Sequence, residues 1–336
     1  MRARRSPITP YPRGWFMVAL SSELAPGEVK AVHYFGQELV LFRTESGKPQ
    51  LFDAYCSHLG AHLGHGGRVI GEQIQCPFHQ WQYDCSGKCT TVPYASKIPP
   101  NARMRTWHVD EVNGLILTWY HEDGGEPTWR VPAIDMGDAT AWTPFRETRW
   151  KVRTCIQDVN ENDIDSAHLR CLHQFTSKTP EAMEMHPRPE GQLDLRFIMV
   201  SNLESFGMAG NAVGPIETTK YGLGLGWVRY SAEIEAAGIS LGTRTLGATT
   251  PIDEDYVDIR LFHNIKKTAF EAVNETLETQ YFKTFKETVE QDIRIWENKR
   301  HLLRPNLCQE DGPIAAYRRW ARQFYSEEEM ERALAR

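Results

Sequence analysis

The chain has 336 residues, 41% of them hydrophobic and 24% charged, with a formal net charge of −6. That length suffices for about two domains with sizeable cores. The mild acidity argues against nucleic acid or an anionic membrane surface as the main partner, and no apolar run approaches the roughly 18 residues that a transmembrane segment needs. The opening MRARRSPITPYPRGWF is basic without an apolar stretch behind it, so no signal peptide is expected. Seven cysteines, an odd number in a chain of this length, do not make a disulfide framework, and a reducing cytoplasm is the expected compartment.

In chain order, residues 15–120 read as short strands with turn signals between them: EVKAVHYF, QELVLFRT, GKPQLFDAYC, EQIQCPFHQWQYD and ARMRTWHVDEVNGLILTWY. Their β-branched and aromatic residues with glycine punctuation predict a small antiparallel β domain over 14–125. The polar HEDGGEPTW, residues 121–129, reads as a link. A second domain is expected over 145–325: a helix near 157–173, a Pro-rich loop, several strands and one long helix over about 268–300. Strands followed by a long helix predict an α+β domain, with that helix packed on a curved sheet.

Two stretches carry chemistry. The first is CSHLGAHLGHGGRVIGEQIQCPFH, residues 56–79, which holds Cys56-Ser-His58 and Cys76-Pro-Phe-His79. Each pair supplies one soft thiolate and one imidazole on a Gly- or Pro-marked loop, as two equivalent loops closing over one object would. A Cys₂His₂ zinc site is one outcome; a [2Fe–2S] cluster with two Cys on one iron and two His on the other is the second. Zinc fingers normally place their His pair together on a helix rather than one per loop. The motif C-x-H-x17-C-x2-H resembles that of the Rieske family. The flanking HLGA and CPFHQW lack the extra cysteines of quinol-oxidising Rieske proteins, as in oxygenases and soluble ferredoxins. Cys85 and Cys89 read as hairpin-turn residues, and His62 and His65 as supporting or surface residues.

The second stretch is VNENDIDSAHLRCLH, with Asp165, His168 and His173 at D-x2-H-x4-H spacing. Two His five apart stand about 140° apart on a regular helix, so the helix must end or bulge between them if they share a metal. Otherwise they are surface histidines on a polar helix. Two His and one carboxylate with open positions make a non-haem iron(II) triad. The long helix offers the carboxylate. Its apolar stripe runs Phe282, Phe285, Val289 and Trp296, and Asp292 falls in the gap of that stripe. A carboxylate on an apolar face is costly unless paired or metal-bound; placement at the helix rim is the alternative. Glu287 and Glu290 fall on the polar side, with Glu290–Arg294 a plausible surface pair.

With both constellations the chain resembles the catalytic α subunit of a Rieske non-haem iron oxygenase over almost its whole length. The resemblance implies a helix-grip (START-like) catalytic domain, a Rieske [2Fe–2S] cluster on Cys56, His58, Cys76 and His79, and a mononuclear Fe(II) on His168, His173 and Asp292. It also implies a homotrimer in which the cluster of one subunit faces the iron of the next. Asp165 matches the family's bridging aspartate, implied to join a neighbour's His79 to His168, and Asn162 is implied to line the iron site. The tail WENKRHLLRPNLCQEDGPIAAYRRWARQFY, the VPY after the second loop and TPIDEDYVDIR resemble 3-ketosteroid 9α-hydroxylase oxygenases and cholesterol 7-desaturases. The expected activity is O₂-dependent hydroxylation of a steroid or sterol-like substrate. Desaturation, sterol methyl oxidation and action on another polycyclic or aromatic compound stay open. So does a reading of another class, a Rieske electron-transfer protein with a lipid-binding module. No flavin or nicotinamide fingerprint is present, so a separate reductase is expected.

Two softer features bear on the substrate. YGLGLGWV puts Gly222, Gly224 and Gly226 on one face of a predicted strand, leaving bare backbone for a flat ligand or for the long helix. Residues 179–190, with Met183, Met185 and Pro187, read as an adaptable apolar entrance or as a plain surface loop.

Overall fold

The computed structural model describes residues 6–173, 183–202, 211–234, 239–268 and 271–335. Two compact units divide the chain, one of Arg13–Ile134 with Thr250–Asp253, the other of Met1–Pro12, Asp135–Thr249 and Glu254–Arg336. Among the described residues no helix is long and apolar enough to cross a membrane.

The first unit holds eleven short strands: β1 (Gly14–Leu20), β2 (Val29–Tyr34), β3 (Gln37–Arg43), β4 (Pro49–Asp53), β5 (Arg68–Ile70), β6 (Gln73–Gln75), β7 (Gln82–Asp84), β8 (Cys89–Thr91), β9 (Thr106–Trp107), β10 (Val109–Val112) and β11 (Leu115–Tyr120). They form three antiparallel sheets, ordered β1-β11-β10, β2-β3-β4-β9 and β5-β6-β7-β8. Two hairpins turn on paired positive-φ residues, Phe35-Gly36 and Asn113-Gly114, the geometry whose twist matches that of the flanking strands. The 121–129 segment, expected as a link, belongs to this unit. Trp119 Nε1 donates to the Gly125 carbonyl at 3.1 Å, and Trp15 Nε1 to that of Trp129 at 2.7 Å. Two buried indole N–H groups needed acceptors, and the segment supplies them.

The second unit is built on a seven-stranded sheet. Its strands are β12 (Arg146–Val152), β13 (Glu184–Pro187), β14 (Gln192–Asn202), β15 (Asn211–Tyr221), β16 (Leu225–Ile234), β17 (Ile239–Pro251) and β18 (Val257–Ile265), in the order β12-β18-β17-β16-β15-β14-β13. The helices are α1 (Ile156–Glu161), α2 (Ser166–Cys171), α3 (Glu271–Trp296), α4 (Ile314–Ala321) and α5 (Glu327–Leu334). α3 packs on the sheet through its aromatic residues. Fully buried His263 of β18 lies with its ring centroid 4.0 Å from that of Phe285 and 5.9 Å from that of Phe282. This is the α+β, helix-on-sheet architecture that the strand and helix pattern predicts.

Several local expectations change. The single helix expected over 157–173 is two short helices, because Ile164 and Asp165 N–H both close on the Glu161 carbonyl and Asp165 then caps a new start. The glycine strip is not a strand: Gly222 has φ 65, and β16 begins only at Leu225. Glu290 pairs with Lys286 at 3.8 Å, one turn before it, rather than with Arg294. Part of the Pro-rich loop, residues 179–182, lies outside the described residues. Met183 and Met185 are half-buried and Pro187 is exposed.

Candidate metal centres

In the first unit the two Cys/His loops are copies of one turn. Cys56 N–H donates to the Ala61 carbonyl at 2.9 Å, and Gly60 N–H returns to the Cys56 carbonyl at 2.9 Å. Cys76 N–H donates to Trp81 at 2.8 Å, and Gln80 N–H returns to Cys76 at 3.2 Å. The residue four beyond each cysteine is left-handed, Gly60 with φ 72 and Gln80 with φ 60. Glycine takes that conformation freely, whereas glutamine pays for it. Short strands hold both turns: β4 runs into the first, and β6 and β7 flank the second.

The donors divide by depth. Cys56 and Cys76 are buried in a core with Phe42, Phe52, Leu63, Ile74 and Tyr83, while His58 and His79 are half-exposed. The two imidazoles face each other edge-on, centroids 4.7 Å apart, and His58 stacks on Trp81 at 4.3 Å. Trp81 in turn donates to Tyr94 OH at 2.8 Å. The Tyr83 hydroxyl lies 3.0 Å from both Cys56 Sγ and Ser57 Oγ. Burial pushes the Cys56 thiol pKa up, and the Cys76 thiol beside it adds to this against the opposing contacts from Tyr83 and the His58 backbone. Two thiols inside and two imidazoles outside fit a cluster with one sulfur-bound and one nitrogen-bound iron. Cys85 and Cys89 flank the hairpin between β7 and β8; Cys89 is buried and Cys85 Sγ donates to the Glu72 carbonyl at 3.3 Å. His62 is packed between Tyr55 and His65.

The second unit brings His168, His173 and Asp292 together, with one ligand atom of each inside 4.8 Å of the others. α2 starts at Asp165, whose carboxylate accepts from His168 N–H at 3.2 Å, while His168 Nδ1 meets the Asp165 backbone carbonyl. That contact turns Nε2 toward the site. After Cys171 the helix ends, and His173 N–H donates to the His168 carbonyl at 3.3 Å, a bond spanning five residues. This wider, π-type turn brings the two rings within 5.0 Å. Asp292 reaches the same point from α3, where it is 5% exposed between Val289 and Trp296. Its Oδ1 lies 3.1 Å from His173 Nε2, and Gln291 holds His173 Nδ1 at 3.0 Å. Burial works to lower the His173 pKa, but Asp292 and Gln291 outweigh it and the net direction is up. Asn162 aims its Nδ2 at both His168 Nε2, 3.2 Å away, and Asp292 Oδ2, 3.3 Å away. Two imidazoles, one carboxylate and a side-chain amide converging on one point fit a cation with open coordination positions.

That point opens onto a cavity of about 290 Å³, near the lower limit of typical ligand sites. Its apolar lining includes Phe197, Leu223, Leu225, Ile259, Leu261 and Trp296. Met183, Met185 and Pro187 are not among its lining residues, so the entrance assigned to them is not at this cavity as far as the described residues go.

A buried ionic cluster that the sequence reading missed braces α1. His301 Nδ1 lies 2.9 Å from Asp158, and Arg318 grips Glu161 through two bonds of 2.6 and 2.9 Å. Cys155 adjoins Asp158 and His301, but Lys299 at 3.2 Å already neutralises Asp158, so the group reads as an ion pair. The tail thus clamps the helix that ends at Asn162. Only its partners, 143 and 157 residues away, reveal this role.

Comparison with known proteins follows the same division. Residues 14–107 match the family model described as Rieske [2Fe-2S] domain, and residues 118–325 that described as 3-Ketosteroid 9alpha-hydroxylase C-terminal domain. The chain is 33% identical to cholesterol 7-desaturase nvd 1 of Ciona intestinalis, across 94% of this chain and 69% of that protein. It is 30% identical to an oxygenase component of 3-ketosteroid-9-alpha-monooxygenase from Rhodococcus rhodochrous, across 94% of this chain and 80% of that protein. Dicamba monooxygenase bound to dicamba shares the fold, with a TM-score of 0.70 at 19% identity over 96% of this chain and 98% of that one.

Proposed function

The chain belongs to the Rieske non-haem iron oxygenases whose catalytic domain is of the 3-ketosteroid 9α-hydroxylase kind, and we propose that it oxidises an apolar polycyclic substrate of the steroid or sterol class. As a member of that family it is a monooxygenase-type enzyme with a [2Fe–2S] cluster and a mononuclear iron. The observation that carries the substrate reading is the His168–His173–Asp292 triad, its histidines half-buried and its carboxylate buried, opening onto an apolar cavity. The names of the relatives, cholesterol 7-desaturase and 3-ketosteroid-9-alpha-monooxygenase, support the same class.

In this reading Cys56, His58, Cys76 and His79 hold the cluster, and His168, His173 and Asp292 hold the iron. When bound, the two groups supply single electrons and O₂ activation for attack on a C–H bond. The chain does the rest. The Asp165 carbonyl and Gln291 fix the outward ring nitrogens of His168 and His173, which sets their tautomers and ring orientation. Asn162 bridges His168 and Asp292 and keeps them in register. Phe197, Leu223, Leu225, Ile259 and Leu261 exclude water and hold the skeleton by apolar contact.

With the cluster bound, half-exposed His58 and His79 would be its side nearest solvent and so its outlet for electrons. Tyr55, Leu59, Phe78 and Tyr94 are exposed in or beside the two loops. Such an apolar patch favours docking, and it supports both a separate reductase and a homotrimer in which a neighbour's second unit covers the face. Asp165 spends one carboxylate oxygen on His168 N–H. Its other oxygen is its means of bridging to His79 of a neighbouring subunit.

The test is turnover by the protein loaded with both metals, given a reductase, O₂ and panels of steroids and small aromatics, with products read by mass spectrometry. Gain of one oxygen on a steroid supports hydroxylation, and loss of two hydrogens supports desaturation. Oxidation of aromatics alone sinks the substrate class. A pure electron carrier would hold about two irons per chain rather than three.

A further inference from the structure

The cavity wall is a grid whose rows run across the strands. Thr218, Val228 and Thr245 pair in one row, and Lys220, Gly226 and Gly247 in the next. All six line the cavity. In the second row two glycines stand side by side, so the bare backbone predicted along one strand exists instead across two. A Cβ added at Gly226 would meet nothing within 4 Å, and one added at Gly247 would meet Leu261 at 3.2 Å. Backbone without side chains is a surface on which a flat skeleton can lie in full contact.

Lys220 closes the end of that row. It is 3% exposed, and its hydrogen-bond partner among the described residues is Asp163. Asp163 is 37% exposed, so the pair runs from a wet carboxylate to a buried ammonium at the cavity wall. An ammonium has three N–H donors, of which Asp163 takes one. Donors left unmet in an apolar cavity are costly. The pair is neutral overall. A ketone or hydroxyl oxygen therefore satisfies a free N–H without leaving net charge, whereas a carboxylate would bury a negative one.

We propose that Lys220 is the polar anchor of the substrate, donating a hydrogen bond to a neutral oxygen at the edge of a flat skeleton that lies on Gly226 and Gly247. This rests on the reading of the cavity as a polycyclic substrate site. It adds a selection rule: the oxygen at Lys220 fixes which end of the skeleton faces the His168–His173–Asp292 point. If Lys220 served only to neutralise Asp163, it would have no influence on oxygen preference.

The experiment is calorimetric titration of the full chain, loaded with both metal centres, with 5α-androstane, 5α-androstan-3-one, 5α-androstan-17-one and a 5α-androstane-3-carboxylate. The wild-type protein should bind one of the two ketones about ten- to a hundredfold more tightly than the hydrocarbon, the range for a hydrogen bond to a charged donor. Lys220→Met should bring that ketone to within about threefold of the hydrocarbon, leaving hydrocarbon affinity unchanged. Asp163→Asn should keep the preference. Should Lys220→Met fail to fold with Asp163 unpaired, the double variant Lys220→Met/Asp163→Asn removes the stray charge and must show the same loss of preference. Equal weakening of ketone and hydrocarbon, or a preference that survives both Lys220 variants, overturns the anchor. Tighter binding of the carboxylate than of either ketone overturns the neutral-oxygen rule. Hydrocarbon binding without any ketone preference in the wild type sinks the anchor alone, whereas no binding of any probe sinks the polycyclic reading beneath it.

Discussion

The cluster loops use one backbone turn twice between Cys56 and Trp81. The His168–His173–Asp292 site instead draws on two short helices, the C-terminal turns of a long one and a widened turn between its two histidines. The donors of the first site are local in sequence; the second exists only when tertiary packing holds α3 against α1 and α2. The two sites are therefore vulnerable in different places. The cluster site depends on its two loops and the core beneath them, whereas the triad can be lost through residues far from it in sequence.

The most drastic way to separate the two is Asp292→Ala. It should abolish turnover and the mononuclear iron while leaving the cluster's visible absorption intact; loss of both together would show that the sites are not independent. Acid should discriminate next. His263 is buried and its pKa is pushed down to about 3 by burial, so the fold requires the neutral ring. Its contribution to stability is complete above the unfolded value of about 6.5 and is lost as pH falls from there toward 3, at up to about 1.4 kcal/mol per pH unit. Thermal melts from pH 7 to 4 should therefore fall more steeply for the wild type than for His263→Asn; parallel slopes would remove His263 as the cause.

Smaller effects probe the equivalence of the two turns. Gly60→Ala should destabilise the first by about 1 kcal/mol and Gln80→Gly should stabilise the second by a similar amount, since both positions are left-handed. Changes of the same sign in denaturant unfolding would refute the matched-turn description. Smallest of all, Lys286→Ala removes the exposed pair with Glu290 and should cost at most about 0.5 kcal/mol. A larger loss in the same assay would mean that α3 depends on its outer face as well as its buried one.

Legibility in the sequence follows the same divide. Cys56, His58, Cys76 and His79 announce themselves because ligand spacing along a loop is a local property. Asp292 was readable because an apolar period on a helix marks which face is buried, and a carboxylate on that face stands out. The break between α1 and α2 was not readable as a break, since it comes from Glu161 and Asp165 capping rather than from glycine or proline. The end or bulge required between His168 and His173 follows from their spacing, and the structure has it as a helix end with a five-residue bond. Lys220 escaped notice because a lysine in an alternating strand looks like a solvated one, and only the pairing with Gly226 and Gly247 sets it in the cavity wall. Of the bare backbone expected at Gly222, Gly224 and Gly226 only Gly226 belongs to the pair, and its partner Gly247 was not foreseen because cross-strand neighbours are not sequence neighbours.

The spread of the donors also sets a clock. Those of the cluster site fall between positions 56 and 79, whereas the triad stretches from 168 to 292. At a synthesis rate of about 5–20 residues per second, Asp292 leaves the ribosome on the order of ten seconds after His168. During that interval the chain carries His168 and His173 without Gln291 and Asp292, the two α3 residues that hold His173 in place. Under the proposed assignment the iron site therefore closes only once α3 is made and packed, long after both Cys/His loops are complete.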